Sequence, residues 1–183
     1  MCGIFGIAST KSTRNKLYQG LMKLEYRGYD SSGISGSDIS SKLTTIKATG
    51  PIKNLKTKLR LLTRITTGIA HTRWATHGEA ILKNTHPHLS ENISIVHNGI
   101  IENYIELKSL LKKKGYAFKS DTDSEVISHL IHMNYKKTRN MESSIISTTK
   151  MLKGSYAIGC INTNYANTIF AACKGSPLII GKG

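Results

Sequence analysis

The apolar positions of this chain fall into short blocks whose spacing switches between two periods. Gly3-Ile4-Phe5-Gly6-Ile7-Ala8 is a continuous apolar run and predicts a buried strand near 2–8. Leu17, Leu21 and Leu24 recur at helical spacing and predict a helix near 13–25. Residues 28–33 read as a loop, with short strands near 32–37 and 43–49. Pro51 is placed to open a helix in which Ile52, Leu55, Leu59 and Leu62 repeat every three or four residues. Strands are predicted near 66–72 and at 93–97, on either side of a long loop. A helix near 101–113 ends at Gly115, and the short strand Tyr116-Ala117-Phe118 follows. A helix near 123–135 turns Val126, Ile127, Leu130 and Ile131 inward, and a helix near 140–153 carries Ile145, Ile146 and Leu152. Strands at 155–162, 167–173 and 177–181 complete the pattern. Adjacent strand pairs at both ends favour mostly antiparallel sheets in an α/β (α+β) layered fold over a doubly wound parallel one.

At 183 residues the chain makes one domain, or at most two, with a real core. No internal repeat divides it. No apolar run is long enough for a transmembrane helix, and the first apolar run lacks the basic lead-in of a signal peptide. The cysteines number three and lack metal-type spacing, which points to free thiols in a reducing compartment, the cytoplasm being the simplest. The net charge is +15, so a basic nucleic-acid binder is one reading. Against it, the lysines are scattered and no aromatic residues interleave with them. The densest run, Lys112-Lys113-Lys114, falls at a predicted helix C-terminus, where cations suit the dipole. A solvated, lysine-rich surface accounts for the charge. His77, His86, His88 and His97 match no compact metal-ligand spacing. His129 and His132 share a helix face and read as structural, and Cys160 reads as a core residue of an apolar strand. Neither a metal nor another cofactor is expected.

The chemistry concentrates at the N-terminus and in three loops. Cys2 follows the initiator methionine and is small enough for Met1 to be removed. It would then carry a thiol and a free α-amine with reference pKa values of about 8.5 and about 8. A partly neutral amine can take the thiol proton, directly or through a water, so the nucleophile brings its own base. Met-Cys ahead of a core strand is by itself also an ordinary sequence. The first loop is Glu25-Tyr26-Arg27-Gly28-Tyr29-Asp30-Ser31-Ser32-Gly33. The second, His71-Thr72-Arg73-Trp74-Ala75-Thr76-His77-Gly78-Glu79, packs a cation, hydroxyls, imidazoles and the chain's sole tryptophan together. The third is His97-Asn98-Gly99-Ile100-Ile101-Glu102-Asn103. Asn98-Gly99 there is expected to end a strand before a helix, where an amide and a backbone N–H suit an oxyanion hole. Asn-Gly is equally an ordinary turn, and Asp123 ahead of a helix an ordinary N-cap.

Cys2-Gly3-Ile4-Phe5-Gly6 and the three loops together resemble the glutamine-hydrolysing domain of the isomerizing glutamine–fructose-6-phosphate aminotransferases. Thr122-Asp123-Ser124-Glu125 and Gly175-Ser176-Pro177-Leu178 extend the resemblance, which runs over residues 1–183. Related purine-pathway amidotransferases and asparagine synthetases share the Cys2 start but differ from Tyr26-Arg27-Gly28-Tyr29-Asp30 and Arg73-Trp74-Ala75-Thr76-His77. The resemblance implies a four-layer αββα sandwich of the N-terminal nucleophile hydrolase type. It implies that Cys2 attacks the glutamine amide while Asn98 and Gly99 stabilise the oxyanion. Arg73 would bind the α-carboxylate and Asp123 the α-ammonium. Thr76 and His77 would hold the substrate, Trp74 would close over it, and Arg27 would position the nucleophile region.

Two departures qualify what the resemblance implies. The family continues into a sugar isomerase region that binds fructose 6-phosphate, whereas this sequence stops at Gly181-Lys182-Gly183, inside what resembles the final part of the glutaminase domain. Cys173 stands where the family usually carries a basic residue. The expectation is therefore a glutaminase domain, 1–183, lacking its C-terminal part and any sugar isomerase domain. Its partners would be glutamine and a separate sugar isomerase subunit or a second copy in a homodimer, with neither nucleic acid nor membrane. The alternatives are an inactive or partner-dependent remnant of such an enzyme and the basic nucleic-acid binder.

Overall fold

The computed structural model describes residues 2–38, 40, 42–74 and 79–182. Strands β1 (Gly3–Ala8), β2 (Ser31–Ser37), β3 (Leu43–Thr49) and β4 (Thr67–Arg73) form one antiparallel sheet in the order β1-β4-β2-β3. Strands β5 (His88–Ser90), β6 (Ile93–Ile101), β7 (Gly154–Asn162) and β8 (Phe170–Lys174) form the second, in chain order and also antiparallel. Helix α1 (Arg14–Leu24) covers the outer face of the first sheet. Helix α3 (Glu125–Thr138) covers that of the second, and α2 (Tyr104–Lys113) and α4 (Met141–Thr149) pack on α3. The sheets face each other through β4, β6, β7 and β1, which gives the layer order helix, sheet, sheet, helix.

Period-two alternation explains three separate apolar layers. Ile34, Ile46 and Ala70 point outward to meet Leu17, Leu21, Ile52 and Leu55. Ile93, Ile95, Ile158 and Cys160 point outward on the other side to meet Val126, Ile127, Leu130 and Leu111. Between the sheets lie Ile4, Ile69, Val96 and Ile161. Both faces of the central strands are thus covered: every residue of β2 (Ser31–Ser37) and β4 (Thr67–Arg73) is buried, the small polar ones included.

Several expected boundaries differ. The segment after Pro51 is a 310 helix, Ile52–Leu61, and the spacing of three between Ile52 and Leu55 suits its three residues per turn. Tyr116-Ala117-Phe118 is not a strand. The Tyr116 N–H caps α2 by donating to the Leu111 carbonyl, and the Tyr116 and Phe118 rings pack against His129. Residues 177–181 form no strand either; among the described residues no neighbouring backbone pairs with them, and Ile179 is 92% exposed. Strand β6 runs on to Ile101, so Asn98 and Gly99 lie inside it, opposite Ala157 and Tyr156, rather than at its end. The helix expected from 101 begins at Tyr104. The short strand β5 carried no sequence signal. His129 and His132 both reach the Ser90 hydroxyl on β5 through Nδ1, and Cys160 is fully buried, its thiol pKa pushed up by that burial.

Candidate active site

The same alternation assembles the site. Ile4, Ile69 and Val96 face the layer between the sheets, so Cys2, His71, Arg73 and Asn98, two or four residues along, continue the same face. At the end of that layer Cys2, Arg73, Trp74, Asn98, Gly99 and Asp123 line one cleft of about 40 Å³. This is room for a few water molecules among the described residues.

Cys2 is held from three directions. Its Sγ accepts the Trp74 backbone N–H at 3.3 Å and donates to the Trp74 carbonyl at 3.7 Å. Its carbonyl accepts from Arg27 Nε at 3.2 Å and from Asn98 Nδ2 at 3.0 Å. The next residue, Gly3, donates its N–H to the Thr72 hydroxyl at 3.1 Å. Gly28 is needed for this packing: a Cβ there would stand 2.7–2.9 Å from the Arg73 and Trp74 backbone.

Asn98 is fixed at both ends of its amide. Its Oδ1 lies 3.0 Å from His71 Nε2, and its Nδ2 is the donor to Cys2. Gly99 has φ +132°, and a Cβ would collide with the Ser155 carbonyl oxygen, so the backbone after Asn98 requires glycine.

Arg73 is 4% exposed at the end of β4 and donates to the Glu79 carbonyl at 3.1 Å. Burial lowers its pKa from the usual value, while Cys2, Asp30 and Asp123 pull it back up. A guanidinium remains charged under such an influence. Asp123 does not cap α3. Its Oδ2 accepts the Ile101 N–H at 2.8 Å, and its Oδ1 accepts the Ser124 hydroxyl at 3.3 Å. Glu125 folds the preceding loop onto the helix start by accepting the Lys119 and Ser120 N–H groups and the Ser120 hydroxyl. Burial raises its pKa, but those bonds and His129 outweigh it and bring the carboxyl down to about 2. Trp74 is 43% exposed, with its ring edge on Tyr29 at 5.5 Å. Thr76 and His77 lie outside the described residues.

Against the cleft stand four buried histidines that the sequence left without a role together, two of which, His86 and His97, line it. His71 and His86 stack at 4.1 Å between ring centroids, and His88 meets His86 edge-on at 4.6 Å. His97 Nδ1 and the Ser124 hydroxyl are 2.8 Å apart. Burial lowers the pKa of His71 to about 3, of His88 to about 3 and of His97 to about 4, and that of His86 well below its ordinary value. All four are therefore neutral at pH 7. Among the described residues, no group of three His, Cys, Asp or Glu side chains is arranged to hold a metal ion.

A half-buried thiol-bearing residue, an amide fixed beside it, and an arginine and an aspartate across one small cleft suit attack on a zwitterionic amino-acid amide. Residues 71–175 match the glutamine amidotransferase domain model, and the chain belongs to that family. Over its whole length it is 48% identical to a protein of Buchnera aphidicola subsp. Baizongia pistaciae and 46% identical to one of Francisella tularensis. Both are named glutamine–fructose-6-phosphate aminotransferase [isomerizing]. The chain spans about 30% of the length of these curated relatives. Among solved structures it resembles the glutamine phosphoribosylpyrophosphate amidotransferase of B. subtilis, with a TM-score of 0.73 and 29% identity. That match covers 89% of this chain and 35% of the other. A glutamine aminotransferase class-II domain protein from Silicibacter pomeroyi, 15% identical with a TM-score of 0.66, shares the fold. The two facing antiparallel sheets with helices outside are the α/β sandwich of the N-terminal nucleophile amidotransferases.

Proposed function

We propose that residues 1–183 form one glutaminase domain that hydrolyses the side-chain amide of glutamine to glutamate and ammonia. We further propose that the ammonia serves the amination of fructose 6-phosphate to glucosamine 6-phosphate, as the names of the relatives suggest. The observation that carries the reading is the grouping around Cys2: Asn98 Nδ2 on its carbonyl, Trp74 N–H on its sulfur, and Arg73 and Asp123 in the same cleft.

Cys2 Sγ, with Met1 removed, attacks the amide carbon while its proton passes to the Cys2 α-amine. The C–S bond forms, and negative charge develops on the former carbonyl oxygen. Asn98 Nδ2 has two hydrogens, one of them on Cys2; the second, with the Gly99 N–H, stabilises that oxyanion. The amine returns its proton to the leaving nitrogen, the C–N bond breaks, and ammonia departs. Water, deprotonated by the same amine, then cleaves the thioester to give glutamate and the free thiol. Arg73 holds the α-carboxylate in a bidentate fork and Asp123 the α-ammonium. Trp74, Thr76 and His77 shape the substrate pocket, and Arg27 holds Cys2 through its carbonyl. A free nucleophilic thiol suits a reducing compartment such as the cytoplasm. No described helix is long and apolar enough to cross a membrane.

The test is glutamate release from glutamine by purified protein with a processed N-terminus. It is run alone and then with a separately supplied sugar-aminating half and fructose 6-phosphate. Glutamate is expected in both, and faster in the second. No glutamate in either assay would overturn the reading.

A further inference from the structure

His71 lies on β4 in the layer between the sheets and is 1% exposed. Its Nε2 faces two oxygens, the His97 carbonyl at 3.0 Å and Asn98 Oδ1 at 3.0 Å. Neither oxygen can donate, so Nε2 carries the ring proton and shares it between them. Its Nδ1 has no hydrogen-bond partner among the described residues, as an unprotonated nitrogen in an apolar layer would. The ring cannot turn over to exchange the two nitrogens, because His86 stacks on its face at 4.1 Å. Gly33, paired with His71, makes room for that stack, since a Cβ at 33 would collide with the His86 carbonyl oxygen.

The consequence falls on Asn98. A side-chain amide can turn over and present either its oxygen or its nitrogen to the same place. With a donor at His71, the oxygen must face His71 and the NH2 group must face Cys2. We infer that His71 is a positioning residue for glutamine hydrolysis: it locks the Asn98 amide in the one orientation that aims its hydrogens at Cys2 and the reacting carbonyl. This rests on the proposed glutaminase reading. His71 touches neither substrate nor nucleophile, and it acts through Asn98 alone. Burial keeps it neutral through the physiological range, so the lock does not switch with pH.

The experiment compares His71→Leu, which removes the donor, with His71→Gln, whose amide nitrogen reaches about as far as Nε2. Displacing an aligned group by about an ångström costs on the order of a hundredfold, so His71→Leu is expected to lower kcat by roughly 10- to 100-fold with KM nearly unchanged. His71→Gln should recover most of the loss. A kcat left within about twofold by His71→Leu, a loss that His71→Gln does not restore, or an effect chiefly on KM would overturn the inference. If the unsubstituted protein hydrolyses no glutamine, the glutaminase reading falls. The lock itself is then read from the Asn98 side-chain amide resonances, assigned by their loss in Asn98→Asp. They should move in His71→Leu and stay in His71→Gln; resonances unmoved in His71→Leu would remove the basis for the lock.

Discussion

Asn98 Nδ2 donates to the Cys2 carbonyl oxygen at 3.0 Å across 96 positions of sequence, tying the second sheet to the first at the mouth of the cleft. The bond uses one of the two amide hydrogens. The arm proposed to hold the transition state is thereby anchored to the residue proposed to attack.

That double use predicts a split in the kinetics of cleft variants. Asn98→Ala should chiefly lower kcat, because losing one oxyanion donor costs about 3 kcal/mol, or a hundredfold and more. Arg73→Ala and Asp123→Asn should chiefly raise KM, since the groups they hold keep their charge throughout the reaction. Asparagine is preferred at 123 because it removes the charge yet can still accept the Ile101 N–H. Steady-state kinetics in which Asn98→Ala moves only KM would reverse the assignment.

Cys2→Ala should abolish hydrolysis and leave the melting temperature nearly unchanged, because Cys2 precedes β1 and, among the described residues, its sulfur bonds only to the Trp74 backbone. Retention of Met1 should act similarly by removing the free amine. A glutamine analogue with an electrophilic side chain should label Cys2, with glutamine protecting. Cys160 is buried and should stay unlabelled, and exposed Cys173 supplies the control for non-specific reaction. Mass spectrometry showing the analogue only on Cys173 would count against Cys2 as nucleophile.

The sequence made the layered fold legible because buried strands leave apolar blocks, Ile4 to Ala8 in β1, Ile93 to Val96 in β6 and Tyr156 to Ile161 in β7, between helices with a periodic apolar face. It also drew attention to Arg27, Arg73, Trp74, Asn98, Gly99 and Asp123, since polar residues flanking such runs have few other reasons to cluster. The linkage among them was not legible. His71 and Asn98 sit inside strands of different sheets, and the register between two sheets leaves no local pattern. Asn98-Gly99 looked like a strand end because Gly99 breaks apolar alternation. In fact the glycine admits the Ser155 carbonyl while the strand continues. Tyr116 and Phe118 have strand-like composition, but packing over His129 uses their apolar surface instead.

The buried histidines predict acid sensitivity well above the carboxylate range. In the folded state His71, His88 and His97 take up protons only near pH 3 to 4, while the unfolded chain takes them up near 6.5. Arg73 and Lys47 add to the resistance, and Asp123 and Glu125 partly offset it. Between these limits the unfolded state binds more protons, so stability rises with pH and is lost as pH falls from 6.5 toward 3. Each such proton costs about 1.4 kcal/mol per pH unit. Glu125, at about 2 against an ordinary 4.5, adds loss of the same sign below pH 4.5. Urea unfolding should show stability falling steeply from pH 7 to pH 5, with uptake of two or more protons. A flat profile over that range would contradict the neutral, buried assignment.

The final prediction concerns Gly33, whose Cβ would project into the layer between the sheets. It would collide with the His86 carbonyl oxygen and stand 3.0 Å from both the Ile46 carbonyl oxygen and Pro87 Cδ. Backbone crowds it on both sides, so the His86–Pro87 segment would have to move, and the His86 stack on His71 with it. Gly33→Ala should destabilise the fold by about 1–3 kcal/mol, the usual cost of overpacking. It should also lower kcat, because the displaced His86 ring lines the cleft. Gly6→Ala is the matched control: the nearest atom to its Cβ is Ile169 Cδ1 at 3.2 Å, the free end of a side chain that can turn aside. Denaturant melts should separate the two clearly, with Gly6→Ala near wild type. Equal effects of the two substitutions would mean that the 86–87 segment yields easily, and that the stack on His71 does not hold it in place.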